Sequence, residues 1–156
     1  MTALAPASPA DVAVVTTLLG RAPQGRFAVV VRRANGAPVV IENAPHLNDG
    51  TPMPTLFWLV DRALHDAVSR IESEGGVHRF EDLVGVDELA ACHARYAQRR
   101  NGRIEHPELV APFGGVGGTR VGVKCLHAHL ANFLATGDDP VGALVARQDG
   151  VRAELP

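Results

Sequence analysis

The chain has few of the features that mark membrane proteins, nucleic-acid-binding proteins or disulfide-rich proteins. Its 156 residues include two cysteines, Cys92 and Cys125, which are too few for a disulfide framework and fit a reducing compartment. Its apolar runs are far shorter than the roughly 20 residues that span a bilayer, and no basic segment followed by an apolar stretch opens the chain. The net charge is −2, without a long basic run, so the electrostatic footprint of nucleic-acid binding is missing. We therefore expect a cytoplasmic protein without a membrane or nucleic-acid partner.

What the sequence does contain is enough apolar material for a core. The hydrophobic fraction is 46%, which suits one compact domain of this length. We expect a single domain over residues 1–156, with a core at about 9–146 and loosely held tails at both ends.

Alternating and continuous apolar stretches predict the sheet. A β-rich run at 27–31 and a second at 39–41 flank Asn35-Gly36, a strong short-range signal for a hairpin. The run 55–60 contains the only Trp and adds a third strand after a long, proline-containing connection. Together these runs predict a small three-stranded antiparallel sheet.

Helical spacing of apolar residues predicts the rest of an α+β fold, in which the sheet packs against three to five α-helices. Ser8 and Asp61 are placed as helix caps, and Asp139-Pro140 as a helix start. We expect a short helical turn near Phe80 and helices at 9–19, 61–74, 87–100 and 121–136.

Two blocks of the sequence resemble the bacterial family catalogued as domain of unknown function 501. They are GAPVVIENAPHLNDGTPMPTLFWLVD and GGVGGTRVGVKCLHAHLANFLATGDDPVG, and with the helical segment between them the resemblance spans roughly residues 26–145. It implies no activity, because none is established for the family. Family members are often encoded near cell-division and polyphosphate-hydrolase genes, which is an association only. Many members have a Cys-x-Cys before the glycine that matches Gly36, but this chain has Ala34-Asn35, so no metal role is carried over to that turn.

The glycine-rich segment 114–118 is a candidate anion site. A glycine-rich turn leading into a helix exposes backbone N–H groups at the positive end of the helix dipole, and Arg120 and Lys124 follow it. Lys124 is the only lysine among fifteen basic residues, and a lysine differs from arginine as a compact point charge. The segment lacks the Gly-Lys-Ser/Thr of a phosphate-binding loop and the third glycine of a dinucleotide fingerprint. Its alternative interpretation is a flexible linker.

The second half of the predicted site is the proline-rich loop 43–54, whose three prolines restrict its backbone before folding. We expect a small phosphate- or carboxylate-bearing ligand between this loop and residues 114–129, and we assign no cofactor. The candidate ligand-binding residues are Asp49, Thr51, Gly117, Gly118, Arg120 and Lys124. The alternative is a non-catalytic regulatory or protein-interaction module, for which the family resemblance suggests a link to cell division. A ligand site predicts one concave pocket shared by these residues, whereas an interaction module predicts an exposed apolar patch.

Cys125 and His127 are candidate catalytic residues, and the sequence assigns them no reaction. At roughly 100° per residue, a helix through this region places Cys125 beside His129 and turns His127 about 160° away from Cys125. Cys125 and His129 alone are half of a metal site, which would need His93, His46 or a carboxylate for completion. Cys92 is expected to be a core thiol. On this basis the sequence predicts no metal.

Overall fold

The structure is a computed structural model that describes residues 3–156. It contains a three-stranded antiparallel sheet with the order β1-β2-β3, in which β1 is Phe27–Arg32, β2 is Pro38–Asn43 and β3 is Phe57–Leu59. The hairpin between β1 and β2 turns at Gly36, whose φ of 87° lies in the left-handed region that glycine favours. Asn35 Oδ1 accepts a hydrogen bond from Ala37 N at 3.0 Å. The predicted sheet, its hairpin and the α+β fold class are confirmed.

The helices surround this sheet. They are α1 Pro9–Leu19, α2 Arg62–Ser73, α3 Gly76–Val84, α4 Val86–Asn101, α5 Leu126–Thr136, α6 Pro140–Ala146 and α7 Asp149–Arg152, with a short 3-10 turn at Val116–Gly118. Ser8, Asp61 and Asp139 each accept a backbone N–H of the helix that follows, so these three predicted helix starts are confirmed. The predicted short turn near Phe80 is a full helix, α3, and the helix predicted at 87–100 is α4, which begins at Val86 after Gly85.

The start of α5 differs from the sequence expectation. The predicted helix 121–136 begins at Leu126 instead, because Gly122 has a φ of 69° and Cys125 is an extended N-cap with φ −152°. Neither conformation continues a right-handed helix. Residues 121–125 are therefore a loop, and the helical angles assumed for Cys125 do not apply.

Both ends of the described chain are packed more closely than the expected loose tails. Val151 is fully buried in the main core, and Leu4 is buried beside Ala28. The backbone oxygen of Glu154 accepts a hydrogen bond from Arg33 at 2.8 Å. These contacts exist because each tail carries an apolar side chain that the rest of the fold can bury.

Two buried polar side chains of α4 hold the strand and loops that border the site. The hydroxyl of Tyr96 accepts hydrogen bonds from Leu56 N at 2.6 Å and Phe57 N at 3.3 Å. Burial raises the pKa of Tyr96 to about 12, so the hydroxyl stays neutral. Arg100 is 1% exposed and donates to Pro54 O at 3.0 Å and to Gly114 O at 2.9 Å. It therefore ties the end of the proline-rich loop to the glycine-rich segment.

Candidate functional site

A cleft of about 380 Å³ opens between β3 and the start of α5; we call it the β3–α5 cleft. Its apolar lining residues are Leu19, Phe57, Trp58, Leu59 and Ala128. The other lining residues are polar residues and a glycine, namely Arg21, Thr55, His65, Gly117, Lys124, Cys125 and His127. A pocket with an apolar wall and a few convergent polar groups is the usual form of a small-molecule site.

Two cations of the cleft have no counter-charge. Within residues 3–156, the side chains of Arg21 and Lys124 have no hydrogen-bond or ion-pair partner. Some other arginines are paired, as Arg26 is with Glu105 at 2.6 Å and Arg33 with Asp61 at 2.6 Å. Among the described residues, Arg62, Arg70 and Arg147 are unpaired like Arg21, so the feature of the cleft is that two unpaired cations line it together. The cleft therefore presents positive charge that the described chain itself does not neutralise.

His127 is held in one orientation and one tautomer. Its Nε2 lies 3.0 Å from His65 O and 3.1 Å from Ser69 Oγ. The Ser69 hydroxyl already donates to His65 O at 2.9 Å, so both neighbours of Nε2 act as acceptors and Nε2 carries the proton. The His65 and His127 ring centroids are 4.4 Å apart. In the neutral ring, the other nitrogen, Nδ1, is consequently unprotonated and carries a lone pair.

The Nδ1 atom of His127 faces two further side chains. It lies 3.2 Å from Glu72 Oε1 and 3.6 Å from Cys125 Sγ. The sequence expectation that Cys125 and His127 point apart is wrong, because Cys125 precedes the helix and is not part of its helical face. Leu126 N also donates to Glu72 Oε1 at 2.8 Å, so Glu72 caps α5 from α2.

Cys125 is not activated as a nucleophile. Burial, assisted by the Glu72 carboxylate, raises the pKa of the Cys125 thiol above its usual value of 9.0, so the thiol is protonated at neutral pH. A cysteine nucleophile needs the opposite shift. The catalytic roles of Cys125 and His127 stay predictions.

Other predicted ligand residues lie outside this cleft. Asp49 Oδ1 accepts a hydrogen bond from Thr51 N at 2.9 Å at the exposed tip of the proline-rich loop, and this bond lowers the pKa of Asp49. The Arg120 guanidinium lies 5.0 Å from the Phe113 ring centroid and borders a different surface cavity. Gly118 adjoins the Pro54 side chain. The structure thus brings Gly117 and Lys124 together with Cys125 and His127, but places Asp49, Thr51 and Arg120 elsewhere.

The glycine-rich segment is an internally bonded turn. Gly115 N donates to Thr119 O at 2.6 Å, Gly118 N donates to Gly115 O at 2.9 Å, and Val116 N donates to His93 Nδ1 at 3.0 Å. These donors are not free for an anion. Any anion site here must therefore draw its charge mainly from side chains.

A second polar cluster is fully buried between α5 and α6. His129 Nδ1 lies 2.9 Å from both carboxylate oxygens of Asp139, which also accept from Asn132 Nδ2 and Gly142 N at 2.8 Å each. Cys92 adjoins this cluster, and burial with the nearby Asp139 raises its pKa to about 12. Cys92 is the core thiol that the sequence predicted. The cluster joins two helices. None of its residues is among the described residues that line the β3–α5 cleft.

Sequence analysis did not identify Arg21, Glu72 or Arg100. One signal for Glu72 is present: His65, Ser69 and Glu72 follow the i, i+4, i+7 spacing of a single helix face. These three residues form a polar stripe on α2, which indicates a surface that can pack against another polar segment. No comparable local signal exists for Arg21 or Arg100.

The fold and the cleft together define an α+β protein with a candidate small-molecule site. The chain belongs to the family described as protein of unknown function (DUF501), whose model matches residues 29–147, and the resemblance seen in the sequence is confirmed. No curated protein and no solved structure matches the chain. Among the helices of residues 3–156, none combines the length and apolar character needed to cross a bilayer.

Proposed function

We propose that the β3–α5 cleft binds a small ligand that carries a phosphate or carboxylate group and an apolar portion. The observation that supports this most is the pair of cations, Arg21 and Lys124, which line the cleft without a counter-charge among the described residues. Both side chains are exposed to solvent, and together they give the cleft a positive potential that attracts an anion.

The shape of the cleft supports the same proposal. Its volume of about 380 Å³ falls within the range of small-molecule pockets. Trp58 and Leu59 contribute apolar lining to the same cleft as Lys124, and Thr55 adds a hydroxyl. A ligand with one anionic end and one apolar end would contact both the cationic and the apolar lining residues of the cleft.

This proposal changes the site predicted from the sequence. Lys124 and Gly117 are kept, and Arg21 takes the place given to Arg120. The ligand lies beside Thr55, just beyond the proline-rich loop, rather than at Asp49 and Thr51. No reaction is assigned, because the Cys125 thiol is protonated at neutral pH and the His127 Nε2 proton is held by His65 O and Ser69 Oγ.

The test is calorimetry with a panel of anions: inorganic phosphate, pyrophosphate, polyphosphate, nucleotides and phosphorylated or carboxylated metabolites. Lys124→Ala and Arg21→Ala should each weaken a bound anion by about 1.5–3 kcal/mol, the contribution of one charged hydrogen bond, or about 10- to 160-fold in Kd. Lys124→Arg should restore only part of the affinity, because a planar fork replaces a point charge.

Arg120→Ala is the matched control, because Arg120 is an exposed arginine close in sequence that borders another cavity. It should leave anion affinity unchanged. Absence of binding by any anion at millimolar concentration, or equal loss in Arg120→Ala and Lys124→Ala, would refute the proposed cleft.

A protein-interaction module is the second candidate function. It is favoured by exposed apolar side chains around the cavity that Arg120 borders: Val86 is 78% exposed and Val121 is 79% exposed. Such residues are expected at a contact surface when they are contiguous. Sedimentation equilibrium tests self-association through this surface, which Val86→Asp combined with Val121→Asp should abolish; a monomer at all concentrations argues against it.

A further inference from the structure

Three potential metal-ligating atoms meet beside the β3–α5 cleft. Glu72 offers a carboxylate oxygen, Cys125 a sulfur and His127 a ring nitrogen, and these atoms all lie within 4.8 Å of one another. We propose that Glu72, Cys125 and His127 bind one divalent cation of the zinc class, with a fourth coordination position open to the cleft. The three protein ligands are present whether or not the proposed anion binds.

The hydrogen bonds of His127 favour a cation at this point. Because Nε2 donates to His65 O and Ser69 Oγ, a neutral ring directs an unprotonated Nδ1 at Glu72 Oε1, 3.2 Å away. Two lone-pair atoms at this separation repel each other unless a proton or a metal ion lies between them. A protonated ring is the alternative to a metal, and metal titration separates the two.

The distances fit tetrahedral coordination. Zinc bonds of about 2.3 Å to sulfur, 2.05 Å to nitrogen and 2.1 Å to oxygen, at tetrahedral angles, separate sulfur from nitrogen by about 3.6 Å and nitrogen from oxygen by about 3.4 Å. The structure has 3.6 Å between Cys125 Sγ and His127 Nδ1, and 3.2 Å between His127 Nδ1 and Glu72 Oε1. These two separations match those of tetrahedral coordination, and the third, between Cys125 Sγ and Glu72, is within 4.8 Å.

The surroundings of the three side chains also resemble those of metal ligands. Histidine ligands commonly donate their second ring N–H to a backbone carbonyl, which fixes the ligating nitrogen, and His127 does this with His65 O. Leu126 N fixes Glu72 by a 2.8 Å bond. A mixed sulfur, nitrogen and oxygen set favours zinc over the harder magnesium and calcium ions.

Two of the three ligands, Cys125 and His127, line the cleft. A zinc ion held by three protein side chains keeps a fourth position for water or another molecule, and here that position is on the cleft side. On binding, the Cys125 thiol loses its proton to solvent and the sulfur bonds to the ion as a thiolate. The expectation from sequence that no metal binds rested on the lack of a second ligand pair, on Cys92 as a core thiol and on a helical position of Cys125; the structure corrects the last of these.

The buried cluster of Cys92, His129 and Asp139 also brings three such atoms together. Both oxygens of Asp139 already accept hydrogen bonds from Asn132, Gly142 N or His129, and all three residues are buried. An ion there would have to displace these bonds and enter a closed core. Cys92 therefore serves as the control thiol.

The test is titration of the chelator-treated protein with Co²⁺ alone, in a buffer without phosphate or carboxylates. We expect one equivalent to produce a near-ultraviolet thiolate-to-cobalt charge-transfer band with tetrahedral visible bands, and Zn²⁺ to displace it. Cys125→Ser should abolish the charge-transfer band, whereas Cys92→Ala should keep it. Glu72→Gln, which retains an oxygen for Leu126 N, should weaken metal affinity at least tenfold. Circular dichroism verifies that each variant is folded.

Lys124→Ala separates this proposal from the anion proposal. Lys124 is next to the ligands but is not one of them, so its loss should not reduce Co²⁺ affinity even though it weakens an anion. Absence of a charge-transfer band in the wild type would overturn the metal site while leaving the anion titration to stand alone. A band that survives Cys125→Ser, or one that Cys92→Ala abolishes, would equally overturn it.

Discussion

Replacing Arg100 tests how the two loops beside the cleft are held. The side chain is 1% exposed, and its guanidinium donates to Pro54 O at 3.0 Å, Pro112 O at 3.2 Å and Gly114 O at 2.9 Å. Among the ion pairs of residues 3–156, none includes Arg100. Burial lowers the pKa of Arg100, which expresses the cost of placing this cation inside. The buried Arg100 guanidinium is therefore tolerated because backbone carbonyls replace the hydrogen bonds that it would make to water.

The expected magnitude follows from those carbonyls. Arg100→Met keeps an unbranched side chain but removes the donor from these three carbonyls, and also from Phe113 O and Asn101 Oδ1, which accept from Arg100 as well. Hydrogen bonds to a charged group contribute about 1.5–3 kcal/mol each, and a buried acceptor left unpaired loses a comparable amount. The Met variant no longer carries the desolvation penalty of a buried guanidinium, which offsets part of this loss of stability. We expect a net loss of at least about 3 kcal/mol in the free energy of unfolding. Arg100→Lys should lose about half as much, because one ammonium cannot reach all three acceptors.

Urea unfolding monitored by circular dichroism measures these losses. Arg99→Met is the matched control: Arg99 is the preceding residue, and its guanidinium lies 4.0 Å from Asp138 with both side chains partly exposed. A surface pair of this kind contributes at most about 0.5 kcal/mol. If Arg100→Met is within about 1 kcal/mol of the wild type, the carbonyl contacts do not hold the loops and this reasoning is wrong.

Two further predictions concern the packing of the helices. Burial raises the pKa of Asp61, but hydrogen bonds from Arg33 and Leu64 N outweigh it and place the folded pKa below 3.8; the resulting stability is present above pH 3.8 and is lost as the pH falls through the folded pKa. The difference in unfolding free energy between the wild type and Asp61→Asn should therefore shrink on acidification below pH 3.8, and a constant difference would contradict it. Gly142→Ala should destabilise the protein by about 1–3 kcal/mol, because its Cβ would collide with His129 O between α5 and α6. Gly150→Ala, whose Cβ would meet nothing within 4 Å, should be nearly neutral in the same denaturation assay, and equal effects would refute the steric explanation.

The parts of the fold that were predictable depend on neighbours in sequence. Ser8 caps Asp11 N, Asp61 caps Leu64 N, and the Asn35-Gly36 turn closes within five residues. A local pattern can indicate such contacts because both partners lie in one short window. The start of α5 was missed for the converse reason, since Gly122 adopts its left-handed φ in a loop that packs against Glu81, a residue far away in the chain.

The cleft itself could not be predicted from local patterns. His127 meets Glu72 across 55 positions of sequence, and their separation is set by how α2 packs on α5. Arg100 stands in the run Gln98-Arg99-Arg100-Asn101, which is typical of an exposed helix end. Only the tertiary structure shows that one of these two adjacent arginines is buried and the other is not.

The two proposals for the cleft are linked by charge. Without a metal, the Glu72 carboxylate, which lies 3.2 Å from His127 Nδ1 at the edge of the cleft, repels an anion. With a divalent ion, the charges of Glu72 and the Cys125 thiolate are balanced, and Arg21 and Lys124 remain as net positive charge. A metal at Glu72, Cys125 and His127 therefore strengthens anion binding, and an anion strengthens metal binding by the same free energy, because coupling between two sites is reciprocal. The open coordination position is where the two meet: a phosphate or carboxylate oxygen bound there would complete the tetrahedron and remain within reach of the cations that line the cleft.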